Sequence, residues 1–265
     1  MTTTDSTNPF EAPTARLEDY SQTQKASLLL AEARVVSAGA AWRWLGTGWV
    51  MFRDAPASWI GILLLYLFIS VVASLVPGVN VIVVVLSPVF GAGLMLACEA
   101  QRRGSTPKVA HLFEGFRRNV GQLVLIAVIY MTAMLVVVFT LIVVGGGIAA
   151  SSSFLMPGGN NPAATATAIG IVVPLGLAAL VLIIPLSLSF YWSPALVVLH
   201  DVRASEAMKS SLSACFRNWR ALLVYAVLAI VLSLIATIPL GLGLFVAGPV
   251  LVISWWAGYR DIFVE

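Results

Sequence analysis

The sequence predicts an all-α integral membrane protein with six transmembrane helices, built as three parallel repeats. Each repeat is a cytoplasmic amphipathic helix followed by a helical hairpin. The first observation is composition: 10% of the 265 residues are charged and 60% are hydrophobic, whereas a soluble domain carries about 25% charged residues. The second is a set of six long apolar segments, and the third is a pattern that recurs before every second segment. Together they exclude a soluble enzyme, a disulfide scaffold and a disordered protein.

Six segments have the length of a membrane span. A span needs about 20 apolar residues, because the hydrocarbon layer is ~30 Å thick and a helix rises about 1.5 Å per residue. The predicted spans are residues 57–76, 79–98, 120–144, 169–199, 221–238 and 240–259. Only short turns separate spans one and two, and spans five and six, so each pair forms a tight hairpin.

The connection between spans three and four has a different composition. Residues 145–168 are rich in Gly, Ser, Asn, Pro and Ala, which predicts an outer loop, with the Gly145–Gly147 run as a helix stop. The fourth segment contains Pro174, Pro185 and Pro194 and is too long for one straight span. We therefore expect it to tilt, to kink or to extend past the membrane surface.

The basic residues fix the predicted orientation. All 15 Lys and Arg residues fall on one side of the six spans, and cytoplasmic loops are the ones that carry excess Lys and Arg. Both termini are therefore predicted to be cytoplasmic. Residues 1–32 form a predicted disordered cytoplasmic tail, and residues 33–265 form one transmembrane domain with repeats at about 33–100, 101–201 and 202–265.

The repeat is visible as an aromatic stripe that ends in a Phe-Arg pair. Trp42 and Trp49 belong to the first stripe, and the three pairs end in Arg53, Arg117 and Arg217. A polar residue follows each pair closely: Asp54, Asn119 or Asn218. In the second repeat, Thr106-Pro107 predicts the start of the amphipathic helix. Each returning helix also carries a proline at a similar place well inside it, namely Pro88, Pro194 and Pro249.

This pattern predicts contacts with lipid headgroups. Aromatic side chains favour the headgroup region and arginines attract lipid phosphates, in particular those of anionic lipids. The predicted interface residues are Arg53, Arg117, Arg217, Trp42, Trp49, Phe116 and Trp219. An alternative is that the three arginines ring a cytoplasmic vestibule. The three prolines are either packing features or helix-kink positions.

The sequence offers no catalytic residue, metal site or cofactor motif. No ionisable residue lies in the middle of a span, where such residues mark ion or proton pathways. His111 and Glu114 are spaced as two metal ligands but lack a third, and His200-Asp201 is typical of a solvated helix end. The isoelectric point near 9.1 reflects the basic loops and does not indicate nucleic-acid binding.

Several stretches resemble an uncharacterised proteobacterial family of multi-pass inner-membrane proteins. They are YWSPALVVLHD at 191–201, EAMKSS at 206–211, CFRNW at 215–219 and the block from Leu86 to Phe116. The chain is more distantly similar to the membrane domain of some glycerophosphodiester phosphodiesterases, which shares the Glu-Ala-x-x-x-Ser helix and the Asn-Trp entry to the next span. The resemblance implies a six-helix fold in the bacterial inner membrane, and it implies no activity because the soluble hydrolase domain has no counterpart here.

Three functions stay open. The favoured one is a non-enzymatic accessory or organising membrane protein that contacts anionic lipids and either a membrane-protein partner or a second copy of itself. The second is a lipid-handling protein or small-molecule transporter, which would be favoured by a pocket open to lipid with Arg53, Arg117 or Arg217 at its mouth. The third is an interfacial enzyme, which would need His111, Glu114, His200 and Asp201 to converge.

Overall fold

The computed structural model describes residues 33–76, 78–155 and 162–264. The predicted disordered tail, residues 1–32, lies outside the described residues. Helices account for almost all of the described part. They are α1 (Ala40–Asp54), α2 (Pro56–Ser74), α3 (Val79–Arg102), a 3-10 helix (Val109–Arg117), α4 (Val120–Leu155), α5 (Pro162–Tyr191), α6 (Ser193–His200), α7 (Ala204–Arg217), α8 (Trp219–Thr237) and α9 (Leu244–Phe263).

Five helical segments are long and apolar enough to cross a membrane. They are Pro56–Ser74, Val81–Arg102, Val120–Gly147, Val173–His200 and Trp219–Thr237. Large apolar side chains such as Phe68, Leu135, Phe139, Val181 and Leu234 are exposed on their surfaces. A continuous apolar surface of this kind is unfavourable in water and suits a hydrocarbon environment. The chain is therefore a membrane protein with several spanning helices.

Helix α9 overlaps the sixth predicted span, residues 240–259, but does not reach the same hydropathy. Its last turn contains Arg260 and Asp261, and Gly248 and Pro249 lie inside it, which together lower its mean hydropathy. Of its 20 residues, 11 are buried. This helix packs inside the bundle instead of presenting an apolar surface, and the count of six spans stays a prediction.

The connection between α4 and α5 differs from the predicted loop. The Gly145–Gly147 run lies inside α4, which continues to Leu155, so the predicted helix stop is wrong. Within a membrane, backbone N–H and C=O groups must be hydrogen-bonded inside the helix, and glycine without positive φ keeps that pattern. The predicted outer loop therefore shrinks at both ends, and residues 156–161 lie outside the described part.

The three prolines of the returning helices lie in two different settings. Pro88 lies inside α3 and Pro249 lies inside α9, and both helices continue through them. The fourth predicted span instead divides at Trp192, and Pro194 follows in the first turn of α6. Proline is favoured in a first helical turn because its missing N–H has no helical partner there. All three prolines are buried.

The second predicted amphipathic helix is a 3-10 helix that begins at Val109, not at Pro107. Lys108 has an extended backbone, and its N–H donates to Nδ1 of His111. The tighter 3-10 winding places Gly115 against α3. A Cβ atom on Gly115 would overlap the carbonyl oxygen of Val89, so this element packs with its backbone directly on α3.

The elements that precede α2, α4 and α8 each pack on a different helix. Helix α1 packs on α9, the 3-10 helix packs on α3, and α7 packs on α5 and α6. Hydrogen bonds join these layers at one end of the bundle, where Arg53, Arg102, Arg117, Arg217 and Arg260 lie; we call it the basic end. Helix α3 lies at the centre of the bundle. Half of its apolar spanning stretch is buried, compared with 11–17% for the other four helices that could cross a membrane.

Candidate lipid-contact site

All seven predicted interface residues are exposed at the basic end. The aromatic side chains of Trp42, Trp49, Phe116 and Trp219 have exposed fractions between 37% and 64%, and Arg53, Arg117 and Arg217 are exposed as well. Large aromatic side chains on a surface beside arginines fit the headgroup layer of a membrane. Their contact with lipid stays a prediction.

An apolar groove lies between α5, α7 and α8. Its volume is about 510 Å³, which is within the range of small-molecule sites. Residues from all three helices line it: Ile184, Leu188, Tyr191, Cys215, Phe216, Trp219, Leu222, Leu223, Tyr225 and Ala226. Sequence reasoning did not find this groove, because its walls come from residues up to 42 positions apart in helices whose packing the sequence does not specify.

Two of the polar groups in the groove wall have hydrogen-bond partners outside the groove. The Tyr225 hydroxyl donates to the carbonyl oxygen of Leu251 at 2.9 Å, and the Cys215 thiol donates to that of Leu188 at 3.5 Å. The thiol is buried and burial raises its pKa to about 12, so it stays neutral. The groove therefore presents hydrocarbon and aromatic carbon to whatever enters it.

Two arginines at the basic end directly follow groove-lining residues in the chain, although neither is itself part of the groove wall. Arg217 follows the lining residue Phe216 and ends α7, and Arg220 follows the lining residue Trp219 in the first turn of α8. The guanidinium carbon of Arg220 lies 5.4 Å from the centroid of the Trp219 ring, a cation–π distance. A hydrocarbon-lined groove with cations at one end has the chemistry that an anionic lipid requires: acyl chain inside, phosphate at the arginines.

A second cluster at the basic end is polar. The carboxylate of Glu99, near the end of α3, accepts from Arg102 at 2.6 Å, from Arg103 at 3.0 Å and from Arg260 of α9 at 3.3 Å. Beside it, Asp261 accepts from Arg43 at 3.1 Å and from the Trp44 indole N–H at 2.9 Å. These bonds tie the end of α9 to both α3 and α1.

The candidate chemical residues do not form a metal site in the described part of the chain. His111 Nε2 lies 3.8 Å from a Glu114 carboxylate oxygen, while Asp201 accepts a hydrogen bond from Asn119 at 2.6 Å. Among the residues that the structure describes, no three His, Cys, Asp or Glu side chains are placed to hold a metal ion. The interfacial-enzyme hypothesis gains no support from these contacts.

The fold and this lipid-facing surface define a membrane protein of several spanning helices. The chain belongs to the family described as a domain of unknown function, DUF7847, whose model matches residues 40–257. It is also similar to a protein of Burkholderia thailandensis named as a probable inner membrane protein, with 26% identity over 204 residues, which is 75% of each chain. No solved structure matches the chain significantly. None of these matches supports the distant resemblance to glycerophosphodiester phosphodiesterases.

Proposed function

We propose that this protein is a non-enzymatic protein of the bacterial inner membrane that binds an anionic phospholipid in the groove between α5, α7 and α8. The groove itself carries the proposal. It is apolar, it opens on the lipid-facing side of the bundle, and exposed Phe216 and Trp219 lie at its wall beside Arg217 and Arg220. The absence of a recognisable catalytic motif in the sequence is the reason for calling the protein non-enzymatic.

The groove moves lipid handling ahead of the accessory role that the sequence favoured. A pocket open to lipid with an arginine at its mouth is the feature that favours lipid handling, and the support for it is that Arg217 directly follows the groove-lining residue Phe216. An accessory role requires a partner surface, whereas the exposed aromatic residues at the basic end are explained by lipid alone.

The proposed architecture is six spans in three units, with both termini in the cytoplasm. Its support is the packing order: α7 lies on the returning helix of the unit before it, the 3-10 helix does the same, and α1 lies on α9, the returning helix of the last unit. In all three cases the element that begins a unit packs on the returning helix of the preceding unit. Because α1 packs on α9, the first unit contacts the third, and the three units form a closed ring. The orientation rests on the one-sided distribution of Lys and Arg.

The test of the groove is the lipid that the protein retains. Ala226→Phe places a ring in the groove from α8, whereas Val227→Phe adds the same ring at the next position, which is exposed and does not line the groove. Each variant is extracted into polymer nanodiscs, and the retained lipids are quantified by mass spectrometry against bulk lipid. We expect enrichment of an anionic phospholipid for the wild type and for Val227→Phe, and loss of that enrichment for Ala226→Phe.

A headgroup variant tests the charged end of the same site. Arg220→Gln should reduce retention of the anionic lipid about fivefold, which corresponds to about 1 kcal/mol per basic residue. Equal lipid retention by wild type, Ala226→Phe and Arg220→Gln would contradict lipid binding in the groove. A stoichiometric protein partner in every preparation, with no enriched lipid, would return the accessory role to first place.

A further inference from the structure

The cluster around Glu99 has more positive charge than its internal pairing requires. Three guanidinium groups share one carboxylate, so Glu99, Arg102, Arg103 and Arg260 together carry a net charge of +2. Asp261 does not balance this excess, because its carboxylate pairs with Arg43 and Trp44. An excess of this size at a partly buried position attracts an anion.

The cluster also has unused hydrogen-bond donors. A guanidinium has five N–H groups in a fork that matches phosphate oxygens, and Glu99 has only two oxygens to accept them. Most of the N–H groups of the three arginines are therefore available. Glu99 holds the side chains in place, since its carboxylate bonds all three at 2.6–3.3 Å.

The cluster runs from the interior to the surface. The Glu99 side chain is 12% exposed and that of Arg260 is 25% exposed, whereas the Arg103 side chain is 68% exposed. At the inner side, the Arg260 guanidinium carbon lies 5.5 Å from the Trp256 ring centroid. A ligand arriving from the headgroup layer would meet Arg103 first and the buried groups last.

A buried donor without a partner directly precedes Arg260 in α9. The Tyr259 hydroxyl is buried and has no hydrogen-bond partner among the described residues. Leaving such a group unpaired costs about 1–3 kcal/mol. A ligand oxygen at this position would remove that cost.

We propose that Arg102, Arg103 and Arg260, held by Glu99 and assisted by the Tyr259 hydroxyl, form a binding site for a phosphate group. The phosphate belongs either to an anionic lipid headgroup or to a soluble phosphorylated molecule. The site is at the ends of α3 and α9, none of its residues lines the groove, and it does not depend on the groove proposal. Arginine is the residue that suits it, because its planar fork binds phosphate oxygens in pairs.

The experiment measures stabilisation by phosphate in two arms. In the first arm, detergent-purified protein is heated with inorganic phosphate or with sodium chloride of the same ionic strength. In the second arm, the protein is heated in nanodiscs of phosphatidylglycerol or of phosphatidylcholine. Stabilisation in the first arm identifies a soluble phosphate ligand, whereas stabilisation in the second arm alone identifies a lipid headgroup. Either result supports the proposed site when the variants below reduce it.

Two variants and one control locate the effect. Arg103→Gln removes an exposed donor with little consequence for folding, and Tyr259→Phe removes the buried hydroxyl without changing volume. The control, Arg118→Gln, removes an exposed arginine at the basic end outside the cluster. We expect each of the first two to bind phosphate about threefold more weakly, with the control unchanged. No stabilisation in either arm, or the same stabilisation in all four proteins, would overturn the site; neither outcome depends on Ala226 or the groove.

Discussion

At the scale of single residues, Asn218 joins the start of the described chain to the basic end. This side chain is 2% exposed and lies between α7 and α8. Its carbonyl oxygen accepts from the Val36 backbone N–H at 2.8 Å, and its amide donates to the carbonyl oxygens of Arg34 and Ala214 at 3.0 Å each. It therefore satisfies backbone groups of a segment that has no helical partners.

Removing this amide should weaken the fold. Asn218→Ala leaves buried backbone groups unpaired, so the free energy of unfolding should fall by about 1–3 kcal/mol. The matched control is Asp54→Ala, because Asp54 also follows a Phe-Arg pair but is exposed, and surface changes are usually within about 0.5 kcal/mol. Denaturation of both variants in mixed micelles measures the difference. A loss of the same size in both variants would contradict the role given to Asn218.

The sequence identified Asn218 only as one member of a repeated pattern. The pattern correctly placed it after a Phe-Arg pair and before a span, because both features are local. Its bonding partners Arg34 and Val36 are about 180 positions away in the chain. Nothing in the local sequence specifies such a contact, and the same reasoning explains why Glu99 and Arg260 were not recognised as a pair.

At the scale of elements, small residues permit close approach of neighbouring backbones. A Cβ on Gly48 of α1 would lie 2.5 Å from the carbonyl oxygen of Val250, and one on Gly115 would overlap that of Val89. Each of these carbonyls follows a helix proline, Pro249 or Pro88. Helix α7 approaches α5 through another small residue, Ser211, whose hydroxyl donates to the Leu188 carbonyl oxygen at 2.7 Å. Small residues at helix contacts are typical of membrane proteins.

Filling one of these contacts should separate two elements. Gly115→Ala forces the 3-10 helix away from α3, because backbone atoms on the other side cannot move as a side chain could. We expect a loss of about 1–3 kcal/mol in the free energy of unfolding. Gly121→Ala is the control: Gly121 lies in α4 with open space around its Cα, and alanine there should be neutral or stabilising by up to about 1 kcal/mol. Equal effects of the two substitutions would refute the close contact.

Element positions were predictable where hydropathy determines them and not where packing does. Five apolar segments reappear as helices able to cross a membrane, since long apolar runs must satisfy their backbone internally. The 3-10 winding of Val109–Arg117 depends on the contact of Gly115 with α3, a cause that lies in the neighbouring element and is invisible in the local sequence. The break at Trp192 comes just before Pro194, one of the predicted kink positions. The sequence did not indicate that Ser211 of α7 would accept a hydrogen bond from the Trp192 N–H there, at 3.0 Å.

At the scale of the whole molecule, the two ends of the described chain meet. The Arg34 backbone N–H donates to the carbonyl oxygen of Ile262 at 2.8 Å, and the Arg34 side chain donates to that of Val264 at 3.2 Å. Arg43 of α1 pairs with Asp261 near the end of α9. These contacts join the first proposed unit to the third. The cluster around Glu99 lies in this polar part of the basic end, because Arg260 of α9 bonds Glu99 and its neighbour Asp261 bonds Arg43 of α1.

The orientation of that layer is testable with single cysteines. Leu240, in the turn between α8 and α9, is 96% exposed, and Ser105, after α3, is also exposed. Because the six predicted spans put all 15 basic residues on the Ser105 side, that side should face the cytoplasm. In intact spheroplasts, an impermeant maleimide should label Leu240→Cys and should label Ser105→Cys only after permeabilisation. Both native cysteines, Cys98 and Cys215, are buried, and the protein without an added cysteine measures their background labelling. Labelling of Ser105→Cys alone in intact spheroplasts would reverse the topology and place both proposed sites on the outer face.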